Sequence, residues 1–152
     1  MANGFTTGMR TSNDDTWTTP RDFYNKLNAE FNFSLDAAAL KSSALCSNWF
    51  GPDHDNPNLR DGLVMDWSQF ASSKTVWLNP PYGRSIGLWT SKANFESRGG
   101  GLTIVLLVPA RTDTNWWHKD IIQHEVRFIK GRLKFGNQKN SAPFPSAVVV
   151  IR

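Results

Sequence analysis

The chain has 152 residues, with 17 Lys and Arg against 13 Asp and Glu, a formal net charge of +4. That length predicts one domain with its own core, and the modest basic excess suits a polyanionic partner. The single cysteine, Cys46, excludes an internal disulfide and a cysteine-based zinc cluster, and His54, His118 and His124 lack metal-ligand spacing, so no metal site is expected.

Residues 1–16 are polar and rich in Gly, Thr and Asn, which predicts a mobile arm ahead of a single domain over 17–152. Thr19-Pro20-Arg21-Asp22 reads as a helix start, with Thr as N-cap, Pro at the first position and Asp closing a capping box. Phe23, Leu27 and Phe31 then recur at helical spacing. Phe33-Ser34-Leu35 alternates like a short strand and brings Asp36 to its end. A helix is expected to continue from Ala37-Ala38-Ala39. Residues 51–62 hold three Asp, two Pro, two Gly and two Asn and read as a loop. Leu63-Val64-Met65 leads to a second acid, Asp66.

Val76-Trp77-Leu78 is an apolar run of strand type. Ser85 to Arg98 reads as a helix with Leu88, Trp89, Lys92 and Ala93 on one side, halted by Gly99-Gly100-Gly101. Thr103 to Val108 is near-continuously apolar, as a buried parallel strand should be. Thr112 or Thr114 is placed to cap a helix carrying Trp117 and Ile121. Val126 to Ile129, Leu133 to Phe135 and Ala147 to Ile151 read as strands with no helix between them, so that end is expected to be antiparallel. The alternation predicts an α/β fold: a mainly parallel sheet, an antiparallel C-terminal end and helices on both faces. No run is apolar enough to cross a membrane and no signal peptide is evident, so a cytoplasmic location is expected.

The most informative residues are Asn79-Pro80-Pro81-Tyr82, directly after the apolar run. Neither proline can donate to a sheet ladder, so the strand must end there. Asn79 and Tyr82 are then held on a stiff turn at a strand's carboxyl edge, where open α/β sheets bind ligands. A carboxamide oxygen and a neighbouring proline carbonyl are two acceptors suited to a planar amino group. The Tyr82 ring can stack on the ring that bears it. The tetrapeptide resembles the catalytic motif of amino-methyltransferases that use S-adenosylmethionine. That superfamily serves adenine-N6, cytosine-N4 and protein glutamine, so the motif points to the reaction more firmly than to the substrate.

Such a donor needs acceptors at strand ends. Asp36 reads either as one of them, with Ala37 and Ala38 allowing close approach, or as the N-cap of a following helix. Asp66 reads as an acceptor for the cofactor's adenine amine or as a loop carboxylate. Phe50 reads as a surface for that adenine or as core. The GxGxxG loop of dinucleotide sites is missing. Basic residues thicken after position 110: Arg111, Lys119, Arg127, Lys130, Arg132, Lys134, Lys139 and Arg152. On the face of the Asn79 turn they would neutralise phosphates; elsewhere they are a solvated surface.

From Trp17 onward the chain resembles small phage and prophage DNA adenine-N6 methyltransferases of the Dam type. The blocks that carry this are Trp17-Thr18-Thr19-Pro20, Leu35-Asp36-Ala37-Ala38, Asp61-Gly62-Leu63 with Asp66-Trp67, and Asn79-Pro80-Pro81-Tyr82-Gly83. They continue with Pro109 to Thr114 and Trp116, Gly131-Arg132-Leu133 with Phe135, and Ala142-Pro143-Phe144. The resemblance implies a Rossmann-like fold, S-adenosylmethionine as donor and adenine in double-stranded DNA as acceptor. It implies that Asn79 and Tyr82 handle a flipped base, and that Trp17, Thr18, Thr19, Pro20 and Asp36 handle the cofactor. It also brings Phe135, Arg111 and Arg132 toward the substrate. Phe135 is equally readable as core, and Arg111 as a partner of Asp113. Protein-glutamine or RNA methylation, and a degenerate DNA-binding module, are the alternatives. Oligomeric state is left open between monomer and homodimer.

Overall fold

A computed structural model describes residues 16–152; the mobile arm expected over 1–16 lies outside them, apart from Thr16. Five strands form one sheet: β1 (Leu35–Asp36), β2 (Thr75–Leu78), β3 (Thr103–Pro109), β4 (Glu125–Phe128) and β5 (Ser146–Ile151). Their order is β1-β2-β3-β5-β4. The first three run parallel, with Leu35 opposite Val76 and Leu78 opposite Leu106. β5 enters antiparallel to β3 and β4. The sheet is therefore mixed rather than mainly parallel: β1, β2 and β3 make up its parallel half and the long β3–β5 ladder closes the other half.

The apolar runs explain the core. In β3 every residue from Ile104 to Pro109 is buried, and all six residues of β5 are buried. Each such aliphatic side chain removed from water contributes about 1.5–3 kcal/mol before chain entropy is subtracted. Helix α1 (Arg21–Phe31) buries Tyr24 and Leu27. Tyr24 packs edge-on against Trp77 with ring centroids 5.5 Å apart. The apolar face thus centres on Tyr24 and Leu27, with Phe23 and Phe31 at its margins.

Several elements differ from the sequence reading. Thr19 does not cap α1; Pro20 occupies that position in an extended conformation. No helix follows Asp36. The chain turns back instead, so that Asp36 N–H donates to Asn48 O and Phe50 N–H donates to Asp36 O. Leu133 to Phe135 forms no strand. The helix expected at Trp117 is a single π-helical turn over Trp117–Ile121, with the Thr114 hydroxyl accepting from Trp117 N–H at 3.3 Å.

Helix α2 (Ile86–Gly100) runs through two glycines and stops at Gly101, whose φ of 66° suits a residue without Cβ. Its hidden face is partly polar. Glu96 accepts from Trp67 N–H at 2.8 Å and from Lys92 at 2.7 Å. The Thr90 hydroxyl donates to Asp120 at 2.7 Å, and Asn94 donates to the Asp120 carbonyl at 3.0 Å. Most buried polar groups are paired, and these pairs tie α2 to the short turns around it.

Candidate active site

Two cavities open beside the turn that follows β2. The larger, about 900 Å3, lies at the carboxyl ends of β1 and β2. The smaller, about 490 Å3, lies between the Tyr82 turn, the segment after β3 and Pro143-Phe144. Trp17, Gly83 and Arg84 line both, so the two adjoin.

Asn79 is held from one side. Its Nδ2 donates to the Trp17 carbonyl at 2.5 Å and to the Thr19 hydroxyl at 3.0 Å. A carbonyl can only accept, so the amide nitrogen must face Trp17 and the oxygen must face away. That oxygen is buried without a partner among the described residues. A buried acceptor left unpaired is costly, and Asn79 lines the larger cavity, so an N–H donor reaching that oxygen would be favoured. This contact also explains why Thr19 fails to cap α1: its hydroxyl is used on Asn79.

Asp36 ends β1 and lines the larger cavity. Leu45 N–H donates to one of its oxygens at 3.0 Å. The other is buried without a hydrogen bond of good geometry among the described residues. Burial pushes the carboxyl up to about 7, partly offset by the Leu45 and Ala38 N–H groups. A ligand that donates to the free oxygen would restore the charged form.

Tyr82 lines the smaller cavity. Its ring lies 21° from parallel to Trp17 and is met edge-on by Phe135 and Phe144. The hydroxyl donates to the Leu107 carbonyl at 3.0 Å, and burial holds it well above the ordinary tyrosine range. The phenol therefore anchors the ring to β3.

A strand-end amide with a free oxygen, an unpaired strand-end acid and an aromatic chamber agree with what comparison finds. A model of the DNA N-6-adenine-methyltransferase (Dam) family matches residues 6–151. The chain belongs to the Dam family. It is also similar to a protein of Escherichia phage T1 described as a DNA N-6-adenine-methyltransferase, with 30% identity over 104 residues. The match covers 68% of this chain and 39% of that relative, so the chain spans well under half of the curated relative's length.

Within this Dam-family chain, the larger cavity gathers Trp17, Thr18, Thr19, Asp36, Ala38 and Phe50 with Asn79, Pro80 and Pro81. Ala37 and Pro20 lie behind it: Ala37 is fully buried and Pro20 starts α1. Asp66 is not brought to this wall. It is exposed and caps a short turn, accepting from Ser68 N–H at 3.2 Å and the Ser68 hydroxyl at 2.7 Å. Those bonds hold its carboxyl below the ordinary range. The acid that does line the cavity is Asp61.

Arg111 lines the smaller cavity with its guanidinium 5.7 Å from the Phe144 ring centre, and forms no salt bridge with Asp113. Phe135 is buried behind the chamber against Trp17 and Tyr82. Arg132 is exposed, lines neither cavity and reaches the Ala142 carbonyl at 3.5 Å. Arg127 and Arg152 are tied up in ion pairs with Glu30 and Glu125.

Sequence reasoning missed Arg84 and gave Phe144 and Trp116 no role. Arg84 directly follows the motif turn, and Gly83 with φ 132° lets the chain turn there. A basic residue just past a strand-end turn was the available signal.

Proposed function

We propose that this chain is a DNA adenine-N6 methyltransferase that takes S-adenosylmethionine in the larger cavity and an adenine extruded from double-stranded DNA in the smaller one. The observation that carries this is the orphaned Asn79 oxygen on the turn between two adjoining cavities. We read the parallel half of the sheet as Rossmann-like, with the donor at its carboxyl edge. The cytoplasm of a bacterial cell, where donor and DNA meet, is the expected compartment.

The larger cavity fits the donor on chemical grounds. The free Asp36 oxygen suits a hydroxyl or ammonium donor, and the apolar wall at Phe50, Leu63 and Trp89 suits a purine. Bound there, S-adenosylmethionine would supply an activated methyl group on its sulfonium. The remaining work belongs to this chain. Asn79 Oδ1 accepts one amino hydrogen of the target, and the Pro80 carbonyl is the neighbouring acceptor for the other. Accepting both builds electron density on nitrogen as charge develops there. Tyr82 presents a rigid ring to the base, and the turn fixes the amine relative to the donor cavity. Extruding the base costs a few kcal/mol of unstacking, which contacts in the chamber must offset.

The test is transfer of a labelled methyl group from S-adenosylmethionine to duplex DNA, with the modified base mapped. N6-methyladenine at defined sites is expected. Label found in RNA or on protein glutamine, and absent from DNA, would reassign the substrate; cofactor binding without any transfer would leave only a DNA-binding module.

A further inference from the structure

We infer that Trp17 forms the second wall of the base chamber, opposite Tyr82, while its main chain sets the orientation of Asn79. This rests on reading the smaller cavity as the adenine site. The indole of Trp17 and the ring of Tyr82 lie 21° from parallel with centroids 6.4 Å apart, and both line that cavity.

Neighbouring rings brace the pair. Phe144 meets Trp17 at 5.0 Å and 84°, and Phe135 meets it at 5.4 Å and 66°. The main chain is fixed on both sides of the indole. Asn137 Nδ2 donates to the Thr16 carbonyl at 3.0 Å, Thr18 N–H donates to Asn137 Oδ1 at 3.1 Å, and Gly136 N–H donates to the Thr18 carbonyl at 2.8 Å. Between these anchors the Trp17 carbonyl receives Asn79 Nδ2. One residue thus grips the base with its side chain and aims the catalytic amide with its backbone. Both jobs need the same anchored segment, which couples base capture to correct presentation of the Asn79 oxygen.

The experiment uses the full chain and a duplex in which the mapped target adenine is replaced by 2-aminopurine, with S-adenosylhomocysteine filling the donor site. Trp17→Phe keeps an aromatic plane, whereas Trp17→Leu keeps bulk and removes the plane. A probe sandwiched between two aromatic rings stays dark, so low emission is expected with the parent and with Trp17→Phe, and higher emission with Trp17→Leu. The Leu variant should also raise the KM for DNA about tenfold to a hundredfold, the size of one lost base–aromatic stack. Trp17→Phe should recover most of that loss. Parental emission and KM in Trp17→Leu would overturn the assignment. If that variant does not fold, Trp17→Met takes its place and is read by the same two criteria, and bright emission with the parent chain overturns the assignment. A parent that transfers no methyl group to DNA sinks the functional reading itself, whatever Trp17 does.

Discussion

Asn79 and Asp36 share one property: each stands at the end of a short strand and buries an oxygen without a partner among the described residues. Their expected behaviour differs because one is neutral and the other ionisable. Asn79→Ala removes the acceptor but leaves the larger cavity's other walls. Turnover should fall by roughly two or more decades, as it does when one preorganised polar contact is lost, while calorimetry still detects donor binding. Unchanged turnover would remove Asn79 from the chemistry. For Asp36 the sign follows from burial, which raises the folded carboxyl from 3.8 to about 7. The native chain then holds a proton that the unfolded chain releases, so stability should fall as pH rises from about 4 to about 7 and level off above. Donor affinity should run the other way and rise across pH 7, because a ligand donating to the free oxygen favours the charged form. Denaturation midpoints and calorimetry between pH 5.5 and 8 check both trends. Asp36→Asn should flatten both; slopes that persist in that variant would belong to another group.

At the scale of elements, the cavity walls rest on close main-chain approaches that only small residues permit. Gly62 opens a short turn whose N-cap is Asp61, and it lies against β1's continuation and α2. A Cβ placed there would meet the Ala37 carbonyl at 2.4 Å and the Trp89 ring at 3.0 Å. The Ala37 main chain is buried and Trp89 lines the larger cavity, so neither can give way without reshaping that wall. Gly62→Ala should therefore cost about 1–3 kcal/mol of stability, the usual range for overpacking a core, and should weaken donor binding as well. Urea denaturation read beside calorimetry tests this; a variant with parental values in both would show that the turn has slack. The sequence marked Asp61-Gly62 as a loop from its composition. It did not show that this loop supplies a wall, because the contact joins residues far apart in the chain.

At the scale of the molecule, the modest positive charge is divided. Arg127 donates to both Glu30 oxygens at 2.7 Å and Arg152 reaches Glu125 at 2.7 Å, so two of the C-terminal basic residues already have carboxylate partners. Arg84 and Arg111 border the smaller cavity and form no salt bridge among the described residues. DNA affinity should fall with salt, and each neutralised phosphate adds roughly −0.9 to the slope of log K against log salt. Arg84→Gln should flatten that slope by about one unit without changing which sequence is methylated, whereas Arg127→Gln should leave it unaltered. Equal effects of the two substitutions would mean that the Glu30 pair breaks on binding. A flat dependence in the parent would argue against duplex DNA.

The sequence by itself determined the local features: the strands at Thr75–Leu78, Thr103–Pro109 and Ser146–Ile151, the helices α1 and α2, and the stiff turn at Asn79-Pro80-Pro81-Tyr82. Each depends on a hydrophobic run or on proline's missing N–H, which are properties of neighbouring residues. The same logic misled at Leu133 to Phe135, where Phe135 packs in an aromatic cluster instead of entering the sheet, and after Asp36, where three alanines suggested a helix but Ala37 N–H donates to the Trp77 carbonyl and Ala39 N–H to the Phe50 carbonyl. It also misassigned Thr19, a good cap by type that serves Asn79 across 60 positions of chain. Only the tertiary structure decided which oxygens stay unpaired, that Asp61 rather than Asp66 lines the larger cavity, and that Trp17 lies 21° from parallel to Tyr82. Those facts concern what remains unsatisfied after every segment has packed, and long-range contacts set that remainder.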